Sequence, residues 1–180
     1  KKLKKMNKIY VIGTLHNMLP KYKKELELIL NKINPDQILV EITQKDLIKN
    51  KFKHYPKEMV YVYKWAIKNI KNVKGFDSQI NIIKKSVSKK YLKTIGDKMF
   101  NYFKRNWKEY NKRKYDHIPE FEELFNLIVD KKKDGLREKE MLKNIKKIIS
   151  KRGTILILTG ASHLKFFENH LRSAVFLLRK

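Results

Sequence analysis

The stretch Ile9-Tyr10-Val11-Ile12-Gly13-Thr14-Leu15-His16 reads as a β-branched, apolar strand that leaves through a glycine and carries a histidine just past its carboxyl end. The same pattern returns near the other end of the chain, where Ile155-Leu156-Ile157-Leu158 runs into Gly160-Ala161-Ser162-His163. Open α/β sheets build their sites beyond the carboxyl ends of strands, so two such exits bring two imidazoles to one edge of one sheet. Glycine at each exit allows a tight turn that a side chain would obstruct.

Outward from the first strand, read as Lys8 to Thr14, Pro20 opens an amphipathic helix with Leu26, Ile29, Leu30 and Ile33 at helical spacing. Asn34-Pro35-Asp36 breaks it, and Gln37 to Ile42 reads as a buried parallel strand, a strand-helix-strand unit with right-handed crossover. Pro56 starts a second helix carrying Val60, Tyr63, Ala66, Ile67 and Ile70, which leads into a short strand from Val73 to Asp77. From about residue 78 to 150 there is no strand signal, only helical stretches punctuated by Gly96, Pro119 and Asp134-Gly135. A helix from Asp134 to Ile149, the apolar strand Thr154 to Thr159, a helix from Leu164 to Leu171 and a last strand from Ala174 to Leu178 complete the order. The expected fold is α/β: one domain over 1–180, a central, largely parallel sheet flanked by helices, and a helical insertion or cap over approximately 78–150.

Composition bounds the function. The chain has 180 residues, 42% of them hydrophobic, enough for a core of its own. It has no cysteine, which excludes disulfides and thiolate metal sites and leaves His, carboxylate and carbonyl oxygens as the metal donors. Its 44 Lys and Arg against 18 Asp and Glu give a net charge of +26, which attracts nucleic acids and other polyanions nonspecifically. Lysine-rich composition explains that charge as well as a selected binding face does. The basic start Lys1-Lys2-Leu3-Lys4-Lys5 precedes a strand with no small-residue cleavage site, and no apolar run approaches the ~20 residues that span a bilayer. The expectation is a cytoplasmic protein. Phe100, Phe103, Trp107 and Tyr110 fall at steps of three and four among lysines and arginines, the pattern of a core-facing stripe with a solvated basic back. Base-stacking aromatics are the other reading.

Gly13-Thr14-Leu15-His16, Pro35-Asp36 before a strand ending in Val40-Glu41, Arg137-Glu138 with Met141, and Gly160-Ala161-Ser162-His163-Leu164 follow one another in an order and spacing that resembles the TraB/PrgY family and the related Tiki metalloproteases. The wider superfamily includes erythromycin esterase-like and ChaN-like proteins. The resemblance implies an α/β core with a polar cluster at one sheet edge, made by His16, His163, Glu41 and Arg137. Asp77 is added from its strand-exit position, where capping the next helix is an equal explanation.

The chemistry of such a set follows from the residue types. Two imidazoles and a carboxylate form a first shell for a divalent cation, Mn, Co or Zn, with positions open for water and substrate. In that reading His16, His163, Glu41 and Asp77 hold the ion, Glu41 ligates it or takes the proton of the bound water, and Arg137 binds a substrate carboxylate or the oxyanion. Without a metal, one histidine serves as base, the glutamate orients it and Arg137 receives the developing charge. A buried Glu41 needs a partner, and Arg137 in a purely structural ion pair satisfies that need too. His54, His117 and His170 lack supporting pattern and read as surface residues. The expected function is a metal-dependent hydrolase of a peptide or amide bond on a peptide or small-molecule substrate. The alternatives are a non-catalytic basic protein that engages nucleic acid or another polyanion, and a haem or small-ligand binder.

Overall fold

In a computed structural model, residues 7–15, 20–102, 107–150 and 152–179 are described. The strands are β1 (Lys8–Thr14), β2 (Gln37–Val40), β3 (Asn72–Gly75), β4 (Thr154–Gly160) and β5 (Val175–Phe176). They form one sheet in the order β3-β2-β4-β1-β5, and every pairing is parallel. The fold is therefore α/β. The chain runs from β1 outward to β2 and β3, then returns to lay β4 between β2 and β1. That insertion puts the ends of β2 and β4 side by side, with Val40 opposite Leu158 in register.

Helices cover both faces, as parallel strands require. On one face α1 (Pro20–Ile33) and α3 (Lys57–Lys68) bury Leu26, Leu30, Met59, Val62 and Trp65 against Ile12, Ile38, Val40, Leu156 and Leu158. On the other, α6 (Lys131–Ile148) and α7 (Leu164–His170) bury Met141, Ile145 and Phe167 against Val11, Leu39, Ile155 and Ile157. Even-numbered Ile12 and odd-numbered Val11 face opposite cores, so β1 is apolar on both sides because both sides are covered. Each such side chain contributes roughly 1.5–3 kcal/mol by leaving water. No helix among the described residues is long and apolar enough to cross a membrane.

The remaining helices are α2 (Gln44–Ile48), which the sequence pattern does not signal, and α4 (Lys89–Tyr102) and α5 (Pro119–Ile128) of the inserted region. Ile95 of α4 packs with Ile128 and Val129 in a small cluster of its own. Helix α6 belongs with the sheet, since its Met141 and Ile145 face are part of the second core. It starts at Lys131, three residues before the Asp134 expected from sequence, because Asp130 caps it by accepting from the amides of Lys132 and Lys133 at 3.1 and 3.2 Å. Trp107 and Tyr110, in a 3-10 turn, are buried in agreement with a core-facing stripe; Phe103 lies outside the described residues.

Two glycines are dictated by close approach. A Cβ on Gly13 would stand 2.6 Å from Leu164 Cδ1 and 2.9 Å from Ala161 Cα, so β1 lies against the segment that carries His163 only because position 13 has no side chain. A Cβ on Gly75 would collide with the carbonyl oxygen of Ile42, where the chain leaving β2 passes the end of β3. Asn111, fully buried in the 3-10 turn Trp107–Asn111, donates to Gly13 O at 2.9 Å and accepts from Gly13 N at 2.8 Å. Its amide takes the place of a strand neighbour where β5 has already ended.

Candidate functional site

Beyond the carboxyl ends of β2, β3 and β4 lies a buried cluster of ionisable side chains centred on Arg137. β2 stops at Val40, two residues before the Ile42 expected from sequence, because the Ile42 amide turns back to Val40 O at 2.7 Å. Glu41 therefore sits at the exit and not inside the strand. Its Oε2 accepts from Thr159 Oγ1 and from the Gly160 amide, both at 2.7 Å, and its Oε1 accepts from Arg137 Nη2 at 2.8 Å. These donors satisfy a carboxylate that is itself only 4% exposed.

Asp77 leaves the shorter-than-expected β3 in the same way, its amide bonded to Ile42 O at 3.2 Å. Arg137 Nε and Nη2 reach Asp77 Oδ1 at 3.0 and 2.9 Å, and the Ser78 amide donates to the same oxygen at 2.7 Å. Burial drives the Asp77 carboxyl above the usual range; the Arg137 charge opposes this and Glu41 adds to the rise. Burial likewise works against the charged form of Arg137, but Glu41 and Asp77 more than offset it and raise its pKa.

His163 is 5% exposed, with the Phe167 ring 6.3 Å away. Its Nδ1 is 2.8 Å from Glu138 Oε1, which makes Nδ1 the protonated nitrogen of the neutral ring. Nε2 lies 3.4 Å from Arg137 Nη1 and 3.6 Å from Glu41 Oε1. Burial disfavours the imidazolium, but the Glu41 charge and the Glu138 hydrogen bond outweigh it and the nearby Arg137, so the pKa moves above its ordinary value.

Of the residues expected from sequence, Glu41, Asp77, Arg137 and His163 converge, and His16 lies outside the described residues. His54, His117 and His170 are exposed. Sequence reasoning gave no role to Glu138 or Asp134. Asp134 is held by burial, foremost, above the usual carboxylate range, and its Oδ1 is buried without a hydrogen-bond partner. The signal was present: Arg137 and Glu138 each stand three or four residues from both Asp134 and Met141, so polar groups share the stripe on which Met141 is core. Glu58, 3% exposed and within 3.4 Å of the Thr14 hydroxyl on the opposite face of the sheet, gave no pattern beyond its place in the first turn of α3.

A divalent ion is the group that the sequence pattern implies, with His16, Glu41, Asp77 and His163 as its donors, of which the last three are described. The guanidinium of Arg137 sits between Glu41 and Asp77, where a shared cation would stand, and among the described residues no group of three or more His, Asp or Glu is placed to hold a metal. Arg137 is the cation of this cluster. Asp77 is also a wall residue of a cavity of about 240 Å3 that runs between α2 and α6, so it is where the buried network meets open space. Set beside known proteins, the chain matches no family model, no curated protein and no solved structure.

Proposed function

We propose that the chain is a hydrolase of amide or ester bonds, with peptide-like substrates preferred, that works at Asp77 and Arg137 with Glu41, Glu138 and His163 as positioning residues. The observation that supports this reading best is Asp77 itself, a carboxyl whose pKa burial raises, held by a fixed guanidinium and lining a cavity. A carboxylate with raised proton affinity is a stronger general base than an ordinary one.

In the reaction, Asp77 takes a proton from water as the water oxygen bonds to the carbonyl carbon, and the negative charge on the carbonyl oxygen is met by Arg137. Collapse breaks the bond to the leaving nitrogen or oxygen, which receives the proton from Asp77, giving a carboxylic acid and an amine or alcohol. Glu41 fixes the guanidinium from one side, and Thr159 and Gly160 fix Glu41. His163, fixed by Glu138, packs beside Glu41 and Arg137 and helps to hold the pair in place.

The test is turnover of a panel of N-acyl amino acids, short peptides and p-nitrophenyl esters, with EDTA and separately with added Mn, Co or Zn. Hydrolysis that persists in EDTA and falls at least about a hundredfold in Asp77→Asn supports the reading, that being the usual size of a general-base contribution. Turnover that survives Asp77→Asn, or its absence across the panel, overturns it. Convergence of Glu41, Asp77 and His163 favours one second reading, a metal-dependent hydrolase that also uses His16; turnover only with added metal, lost in His163→Ala, selects it.

A further inference from the structure

The corner between the end of α3 and the start of β3 carries an isoleucine where helices usually place glycine. Ile70 N donates to Ile67 O at 3.1 Å and Lys71 N to Ala66 O at 2.9 Å, the paired bonds of a helix end whose reversing residue turns left-handed. That residue is Ile70, with φ at 54°. Asn34 and Asn50 take the same conformation with a short polar side chain that tolerates it, whereas a β-branched side chain adopts it only under strain. Ile70 gains no packing by it: at 95% exposed, it is the barest large apolar side chain among the described residues.

Lysines surround this corner. From residue 59 to residue 76 the sequence has Lys64, Lys68, Lys71 and Lys74 and no acid. Lys64 has Ile67 and Lys68 three and four residues on, so the three share an exposed face of α3, on which Ile67 is 55% exposed. Lys71 Nζ donates to Asn34 Oδ1 at 2.7 Å, which ties the corner to the end of α1 and its exposed Lys32. One acid, Asp36, stands beside the start of β3, and its Oδ2 accepts from the Thr154 amide at 2.7 Å. Helix α5 is the opposite case. Its Leu127, 49% exposed, shares a face with Glu120 and Glu123, and from residue 115 to residue 130 the sequence has no lysine or arginine. Positive charge is thus not spread evenly over the chain.

The aromatic side chains of α3 are already engaged: Tyr61 donates to Glu27 at 3.0 Å, Tyr63 donates to Asn50 at 3.1 Å, and Trp65 is buried. What faces outward is aliphatic and cationic, which gives nucleobases no surface to stack on. A bare aliphatic tip among ammonium groups suits a bilayer, where anionic headgroups meet the lysines and the tip enters the acyl boundary. We infer that the corner between α3 and β3 docks on an anionic membrane surface, with Ile70 and Ile67 as apolar anchors and Lys64, Lys68 and Lys71 on the headgroups. Asp77 follows the other end of β3, so the candidate site lies at the end of that strand remote from the bilayer.

The test is co-sedimentation of the whole chain with phosphatidylcholine vesicles containing about three-tenths phosphatidylserine, at physiological salt. Pure phosphatidylcholine vesicles and a DNA duplex are the comparators. Ile70→Gly is expected to weaken binding to the anionic vesicles at least about tenfold, the size of one aliphatic side chain withdrawn from apolar surroundings. Its Tm is expected to hold or rise, since glycine relieves the left-handed turn, which shows that the fold is kept. Lys64→Gln/Lys68→Gln is expected to cost at least about tenfold as well, at about fivefold per lysine. Leu127→Ser, and Lys131→Gln/Lys132→Gln at the start of α6, remove exposed groups elsewhere and are expected to change little. Unchanged binding in Ile70→Gly, equal loss in the two lysine pairs, a loss in Leu127→Ser that matches Ile70→Gly, equally tight binding to pure phosphatidylcholine, or no vesicle binding each overturns the inference. DNA binding is expected to be indifferent to Ile70→Gly; a parallel loss there assigns the face to nucleic acid and overturns it too.

Discussion

Two arginines in this chain are tucked among carboxylates, and they do different things to their partners. Arg179 donates to both oxygens of Asp116, at 2.5 and 2.7 Å, to Glu168 at 3.0 Å and to Asn111 O at 3.3 Å. It fastens the inserted region to α7 and to the turn that holds Gly13. Its partner Glu168 is pulled below the usual carboxylate range by Arg113 first and then by Arg179. Around Arg137 the direction reverses, and Asp77 is pushed up. The guanidinium is the same; the depth differs. The Glu168 side chain keeps 26% of its surface in water and Asp77 keeps 11%, so charge attraction prevails at the first and desolvation at the second. One arginine lies with a carboxylate held below the usual range, the other with a carboxyl that burial raises above it.

The largest expected effect that tests this contrast is Arg137→Met, which strips the counter-charge from buried Glu41 and Asp77. Chemical denaturation is expected to show a loss of about 3–5 kcal/mol, shrinking as the pH is lowered and the two acids take up protons. A loss that stays constant with pH breaks the comparison. Arg179→Met is expected to cost less, about 2 kcal/mol, because Asp116 and Glu168 regain water, and to cost less again in acid as Glu168 protonates. Equal losses from the two variants at neutral pH mean that both arginines are clamps.

The smallest expected effect is in the pH dependence of Tm. His163 has a folded pKa above its ordinary 6.5, so its contribution is complete below 6.5 and is lost as the pH rises through the folded value. Glu168 has a folded pKa below its ordinary 4.5, so its contribution is present above 4.5 and is lost as the pH falls through the folded value. His163→Gln is expected to flatten the alkaline limb and Glu168→Gln the acid limb, each by about 2–4 °C, the size that ~1 kcal/mol makes in a chain of this length. Flattening of the wrong limb by either variant contradicts the assignment.

Much of this site was legible along the chain because strand exits are written locally. A β-branched run followed by glycine and histidine marks an exit without knowledge of what lies beside it, and the same holds for Glu41 after Ile38-Leu39-Val40. The ends of β2 and β3 were less legible, since apolar residues continue past them: Ile42 and Phe76 stay buried in the core although the strand ladder has closed. Glu138 and Asp134 were hidden for another reason. On a helix with charged residues at most positions, nothing in the sequence says which face turns inward until Met141 and Ile145 meet the sheet.

The sequence by itself determined an α/β order of elements, which helix faces are apolar, and which strand ends carry ionisable groups, since these depend on periodicity and on turn chemistry a few residues long. Only the tertiary structure decided that β4 enters between β2 and β1, that α6 turns Arg137 and Glu138 toward that junction, and that the cation between Glu41 and Asp77 is the chain's own guanidinium. Those outcomes depend on contacts between residues some sixty to one hundred and twenty positions apart, such as Asp77 with Arg137 and Glu41 with Gly160, where burial and not local preference sets both the geometry and the protonation.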